Sequence, residues 1–236
     1  MFRKLIWPAA ALFFTMAASQ SSACADIALV LAVDGSGSIT DEEYAFQKSA
    51  IADAFRDDGV LKALKDAGSV RVSAVFWGDG EFSTQKLDWF SITDGAGAEP
   101  FALAIEANHR TVFGNTDIGN GIWSALDLLS DPSFCAIKTI INVSGDGKET
   151  VAPKRRKTPS LYDARQRATA MGTIVNGLVI SDEEPDLRGY YEKRVILGDD
   201  AFVMEVRSLA DYAEAIRRKL MRELSPSTEV QVAQHP

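Results

Sequence analysis

Asp34, Ser36 and Ser38 place one carboxylate and two hydroxyls at alternate positions in the run Asp34-Gly35-Ser36-Gly37-Ser38. Three oxygen donors so spaced form a small all-oxygen cluster, the kind of ligand set that hard cations such as Mg²⁺ take. The cluster follows an uninterrupted apolar run, Ile27 to Val33, and precedes the helix-like segment Asp41-Glu42-Glu43-Tyr44-Ala45-Phe46. It therefore sits at the C-terminal end of a buried strand, the edge at which open α/β sheets bind ligands. Two further polar positions share that context. Thr116, in Phe113-Gly114-Asn115-Thr116-Asp117, stands where a helix begins, and Asp146 follows the strand-like run Ile140-Ile141-Asn142-Val143 by way of Ser144-Gly145. Taken alone, Asp-Gly-Ser-Gly-Ser reads equally well as a cation cluster or as a plain strand-to-helix turn.

The elements that must position these groups alternate in type. Ile27–Val33 reads as a central strand, apolar on both faces. Thr40 is an N-cap, and Glu43 three residues on completes a capping box for a helix reaching about Phe55. Val70–Trp77 is strand-like, Gly78-Asp79-Gly80 is turn chemistry, and Ser83–Ile92 returns as a hairpin partner, which predicts one antiparallel edge strand. Pro100–Ala107 is helical in composition. A second helix opens at Thr116 or Asp117, weakened in its first turns by Gly119 and Gly121. Lys138–Val143, Ile174–Ile180 and Ala201–Val206 supply further strands, Ser160–Met171 and Leu209–Leu224 further helices. Such alternation predicts an α/β fold: a doubly wound, mostly parallel sheet covered by helices on both faces.

The first residues read as a secretory signal. Arg3 and Lys4 precede an apolar stretch from Leu5 to Ala18 that is short for a membrane span, and Ala23-Cys24-Ala25 offers small residues for cleavage. The expected division is a signal peptide over 1–25, one domain over 26–224 and a disordered tail over 225–236. An acylated Cys24 is the competing reading. Ser21-Ser22-Ala23-Cys24, however, lacks an aliphatic residue three before the cysteine. The expected destination is thus secreted or periplasmic. The whole chain carries a net charge of −8, and losing Arg3 and Lys4 makes it −10, a poor balance for binding nucleic acid or an anionic membrane. Cleavage after Ala25 leaves Cys135 without a partner, and therefore no internal disulfide is expected. Two histidines argue against a zinc site or a histidine-based triad.

In order and context, Asp34-x-Ser36-x-Ser38, the lone Thr116 and Asp146 before Gly147 resemble the three-part metal-site pattern of von Willebrand factor A domains. Leu31-Ala32-Val33-Asp34, Ser38-Ile39-Thr40-Asp41-Glu42-Glu43 and Val143-Ser144-Gly145-Asp146-Gly147 are similar to a secreted bacterial branch of that superfamily of unknown function, of the DUF1194 type. The resemblance spans Asp26 to Leu224. It implies a divalent metal (Mg²⁺, with Mn²⁺ or Ca²⁺ as alternatives) on the upper face of the sheet. Ser36, Ser38 and Thr116 then supply hydroxyl oxygens, and Asp34 and Asp146 bind the metal directly or through its waters. A cation with so few charged ligands accepts a carboxylate from a partner protein, which makes the implied function metal-bridged recognition rather than catalysis. One departure stands out: Gly145 occupies a position where many members carry a hydroxyl residue.

Other residues carry plainer expectations. Asp117 answers the helix dipole, His109-Arg110 is loop surface, and Phe113 is a contact aromatic if it lies exposed near the metal. Lys154–Lys157 is a solvated basic loop, and Asp182-Glu183-Glu184-Pro185-Asp186 a solvated acidic loop and helix N-terminus. Two competing functions remain open. One is a metal-assisted phosphohydrolase with Asp34 as nucleophile, although Ser36 stands where such enzymes place a second Asp to protonate the leaving group. The other is a metal-free scaffold.

Overall fold

The computed structural model describes residues 24–132, 134–150, 158–182 and 184–225. The expected tail over 225–236 lies outside them apart from Ser225, as do the signal segment up to residue 23 and the basic run 154–157. In chain order the elements are β1 (Ala25–Asp34), α1 (Asp41–Ala54), α2 (Asp58–Asp66), β2 (Ser69–Trp77), β3 (Gln85–Lys86), β4 (Phe90–Thr93), α3 (Ala98–Ala107) and α4 (Ile118–Leu129). They continue with β5 (Ala136–Gly145), α5 (Leu161–Ala170), β6 (Ile174–Ile180), α6 (Leu187–Arg194), β7 (Val203–Val206) and α7 (Tyr212–Leu224).

Strands β2, β1, β5, β6 and β7 lie side by side and parallel, with β3 and β4 both antiparallel to β2. The expected antiparallel edge is thus present, in two short pieces. Period-2 geometry sorts the long strands between the two faces. Leu29, Leu31 and Val33 join a core with α1, α2, α3 and α7, while Ala28, Val30 and Ala32 join one with α4, α5 and α6. Because β1 is covered on both sides, its sequence is apolar without alternation.

Local chemistry sets the helix ends. Thr40 accepts from the Glu43 N–H while the Glu43 carboxylate accepts from the Thr40 N–H, closing the expected capping box of α1. Asp117 caps α4 by accepting from Asn120 N–H. The two glycines that looked like weak points in α4 are packing sites. A Cβ on Gly121 would lie 2.6 Å from the Trp77 ring, and one on Gly119 2.5 Å from the Leu161 backbone nitrogen. Helices α2 and α6 are short; α6 starts where the acidic run 182–186 leads into a helix, as expected, whereas α2 is not expected from the sequence.

Cys24 and Cys135 form a disulfide, which corrects the expectation of a lone Cys135. The register explains it: Ala25 pairs with Ala136 on adjacent parallel strands, and the cysteines are the residues immediately before, their Cα atoms 4.9 Å apart. A sulfur so bonded is not available for acylation.

A buried ionic network ties α7 to the sheet. Asn142 and Asn176 are partners in the β5–β6 register, and each donates its side-chain amide to Glu223, at 2.9 and 3.0 Å. The Glu223 carboxylate also holds the ammonium of Lys219, whose side chain is fully buried. Burial pushes the Lys219 pKa down, and the Glu223 charge opposes that shift. Removing one partner of a buried pair strands the other charge. Glu223→Ala is therefore expected to lower stability by about 3–5 kcal/mol in urea unfolding. A loss below about 1 kcal/mol, the range of an exposed pair, overturns this reading.

Candidate metal site

Strand order reverses at β1: α1 carries the chain to β2 on one side of it, and β5 lies on the other. The loops leaving β1 and β5 diverge there and open a crevice at the carboxyl edge of the sheet. Asp34 is the last residue of β1, and Asp146 follows the last residue of β5. The loop before α4 brings Thr116 to the same place.

All five expected residues meet. The Thr116 hydroxyl donates to Ser36 Oγ at 3.4 Å, the Ser36 and Ser38 hydroxyls are 3.3 Å apart, and Ser38 Oγ donates to Asp146 Oδ1 at 2.8 Å. Asp34 Oδ1 accepts from the Ser36 N–H at 2.7 Å. Its other oxygen, Oδ2, is buried without a hydrogen-bond partner. Burial, then the neighbouring Asp146, pushes the Asp34 carboxyl up to about 8. Burial also raises Asp146, against the Ser38 hydrogen bond, with Glu43 and Asp182 adding negative field. A small cleft of about 90 Å³, lined in part by Ser38, Glu43, Asp146 and Asp182, opens beside them. Two carboxyls in an acidic field, an oxygen without a donor and an all-oxygen set of side chains are chemistry that fits a hard cation. Among the described residues no three His, Cys, Asp or Glu side chains form a metal-binding group; three of the five donors here are hydroxyls.

The loops are locked by contacts that the sequence reading placed elsewhere or passed over. Arg110, read as loop surface, has a side chain only 10% exposed. It donates to the carbonyls of Gly35 and Ser36 at 3.0 and 2.7 Å, pairs with Asp41, and lies over the Phe113 ring. One guanidinium thus fixes the first loop, and its planar fork suits two carbonyls at once. Asp79 holds the second loop, accepting from the backbone and side-chain amides of Asn115 at 3.3 and 2.7 Å. Gly114 has φ +81°, a conformation that glycine adopts without strain, and its carbonyl accepts from Gly37 N–H at 2.7 Å. Thr116 and Thr150 exchange two hydrogen bonds, which joins the second loop to the third. The acidic loop after β6 is partly neutralised, since Lys148 pairs with Glu184 at 2.6 Å. Phe113 is 41% exposed beside Phe82 at 43%, their rings edge-to-face 6.1 Å apart. Phe113 therefore has the exposure that its expected contact role requires.

A family model described as a protein of unknown function, DUF1194, matches residues 23–228. The chain belongs to the DUF1194 family. No curated protein matches this DUF1194 chain. Solved structures do match it, and they share its von Willebrand factor A-like fold. Proximal thread matrix protein 1 from the mussel byssus aligns with a TM-score of 0.58 at 13% identity, over 85% of this chain and 47% of that one. Another structure of the same thread protein has a zinc-occupied MIDAS motif and aligns with a TM-score of 0.59 at 12% identity, over 85% of this chain and 46% of that one. The vWF domain of the type V pili tip protein Mfa5 from Porphyromonas gingivalis aligns with a TM-score of 0.54 at 12% identity, over 87% of this chain and 98% of that domain. The DUF1194 chain spans about half the length of the thread protein. At these identities the likeness establishes the fold.

Proposed function

We propose that this chain is a secreted or periplasmic binding module whose Asp34, Ser36, Ser38, Thr116 and Asp146 hold a divalent cation, Mg²⁺ foremost, with Mn²⁺ or Ca²⁺ as alternatives. The bound cation supplies a Lewis-acidic position with exchangeable waters, where an Asp or Glu carboxylate of a partner protein completes the ligand set. The observation that carries the reading is Asp34 Oδ2, a buried carboxylate oxygen left without a donor at the one point where all five groups converge. The exposed Phe82–Phe113 pair offers the apolar contact that accompanies a charged anchor at interfaces. A structural relative, the thread matrix protein with its zinc-occupied MIDAS motif, favours the same reading. Full burial of Asp34 disfavours its use as a phosphohydrolase nucleophile, since neither oxygen reaches solvent.

Secretion belongs to this reading, with one adjustment. Retaining the Cys24–Cys135 bridge requires the signal to end before Cys24, and Ser21-Ser22-Ala23 supplies small residues there as well. Disulfides persist in the oxidising compartments such a signal leads to.

The test is calorimetric titration of chelator-stripped protein with Mg²⁺ and Mn²⁺, followed by capture of Asp- and Glu-bearing peptides with metal or with chelator. Saturable binding is expected, weakened about tenfold in Thr116→Ala, the scale of one lost charge-assisted contact. Peptide capture is expected with metal only. A folded protein that binds neither cation, alone or with peptide, overturns the proposal.

A further inference from the structure

The site has a second buried oxygen without a partner, and it comes from a helix that the metal pattern does not include. The hydroxyl of Tyr191, on α6, is fully buried and has no hydrogen-bond partner. Two glycines on adjacent strands make room for it. A Cβ on Gly177 in β6 would lie 3.0 Å from Tyr191 Cδ1, so the ring lies against bare backbone there. A Cβ on Gly145 in β5 would lie 2.7 Å from the Tyr191 hydroxyl and 3.0 Å from Asp34 Oδ2. Val33 pairs with Ser144 and Val143 with Gly177. Asp34, Gly145 and the tyrosine slot are thus neighbours across three strands.

Two buried polar atoms, one an O–H donor and one a carboxylate acceptor, converge on the space above a single glycine. Leaving both unsatisfied costs more than either alone, and each is the chemical complement of the other. We infer that Tyr191 is a positioning residue for the metal site: its hydroxyl donates to Asp34 Oδ2, directly or through one buried water, and orients the carboxylate toward the cation. The inference rests on the metal-binding reading above. It assigns the glycine at 145 a purpose, since a side chain there would displace the tyrosine hydroxyl. It also assigns one to α6, whose adjacent Tyr190 hydroxyl accepts from the Glu149 N–H at 3.4 Å in the loop that follows Asp146.

Mn²⁺ and Mg²⁺ titration of wild type, Tyr191→Phe and Tyr191→Phe/Gly145→Ser tests it, with the melting temperature of each metal-free form measured in parallel. Removing the hydroxyl is expected to weaken metal binding roughly tenfold, the effect of one hydrogen bond to a charged group. The double variant, whose new hydroxyl springs from the vacated space, is expected to recover most of the affinity. Gly145→Ser alone drives its Cβ into the tyrosine oxygen and is expected to melt lower than the double variant. A purely structural tyrosine moves the melting temperature and leaves the dissociation constant alone. Wild-type binding with an unchanged constant in Tyr191→Phe therefore overturns the inference by itself. Absence of wild-type binding overturns the metal reading and this inference with it.

Discussion

Asp34→Ala is expected to abolish saturable Mg²⁺ and Mn²⁺ binding and, at neutral pH and above, to give a metal-free protein more stable than wild type. Both effects follow from one burial. Asp34 is 0% exposed with one oxygen unsatisfied, and its carboxyl is pushed up to about 8 from an ordinary 3.8. Between those two values the unfolded chain has released the proton while the folded chain keeps it. The native state then binds more protons, and stability falls as pH rises through that window. The shift is about four units at ~1.36 kcal/mol each, which sets an upper limit near 5 kcal/mol on the loss between about pH 4 and pH 8. The alanine variant lacks the group and is expected to lose this component of the slope, conceding only the hydrogen bond to the Ser36 N–H, worth about 1 kcal/mol. A cation displaces the proton, so wild-type affinity is expected to rise nearly tenfold per pH unit up to about 8. Urea unfolding across pH with and without Mg²⁺, beside the titration, checks all of this. A wild-type pH profile that matches the variant's, or metal binding retained by the variant, refutes it.

The second large effect concerns the disulfide. Cys135→Ser, or reduction of the wild-type protein, is expected to lower unfolding free energy by about 4–5 kcal/mol, the chain-entropy value for a loop of roughly a hundred residues. The bridge joins positions 111 apart and ties the start of β1, the central strand, to that of β5. A loop that long keeps most of the unfolded chain expanded unless it is closed. Urea midpoints with and without reductant give the result: wild type is expected to shift and the variant to be indifferent to reductant. Equal midpoints, or an intact mass of secreted protein that lacks Cys24, contradict it.

Much of the site was legible because its pattern is local. Asp34, Ser36 and Ser38 declare themselves by alternate spacing after an apolar strand, and Thr116 and Asp146 by the ends of the elements they border. The fold was legible for a similar reason: strands apolar on both faces demand cover on both faces, and Thr40 with Glu43 writes a helix start into four residues. Arg110 was not readable in the same way. A charged residue in a loop is usually solvated, and only the folded loops reveal two carbonyls within its reach. Helix α2 is capped by Asp57, whose carboxylate accepts from the Gly59 and Val60 N–H groups. That cap was present in the sequence, but it introduces only nine residues, too few for a firm periodicity.

The sequence by itself determined the doubly wound class, most of the element order and which five oxygen-bearing side chains border the carboxyl edge of the sheet, because each depends on residues near one another in the chain. Tertiary structure alone decided three things. Register placed Cys24 opposite Cys135, the β5–β6 pairing aligned Asn142 with Asn176 beneath Glu223, and packing of α6 across two glycines delivered Tyr191 to Asp34. Each of these contacts joins positions far apart in sequence, and no local propensity encodes them: they exist only once the strands have chosen their neighbours and their offset.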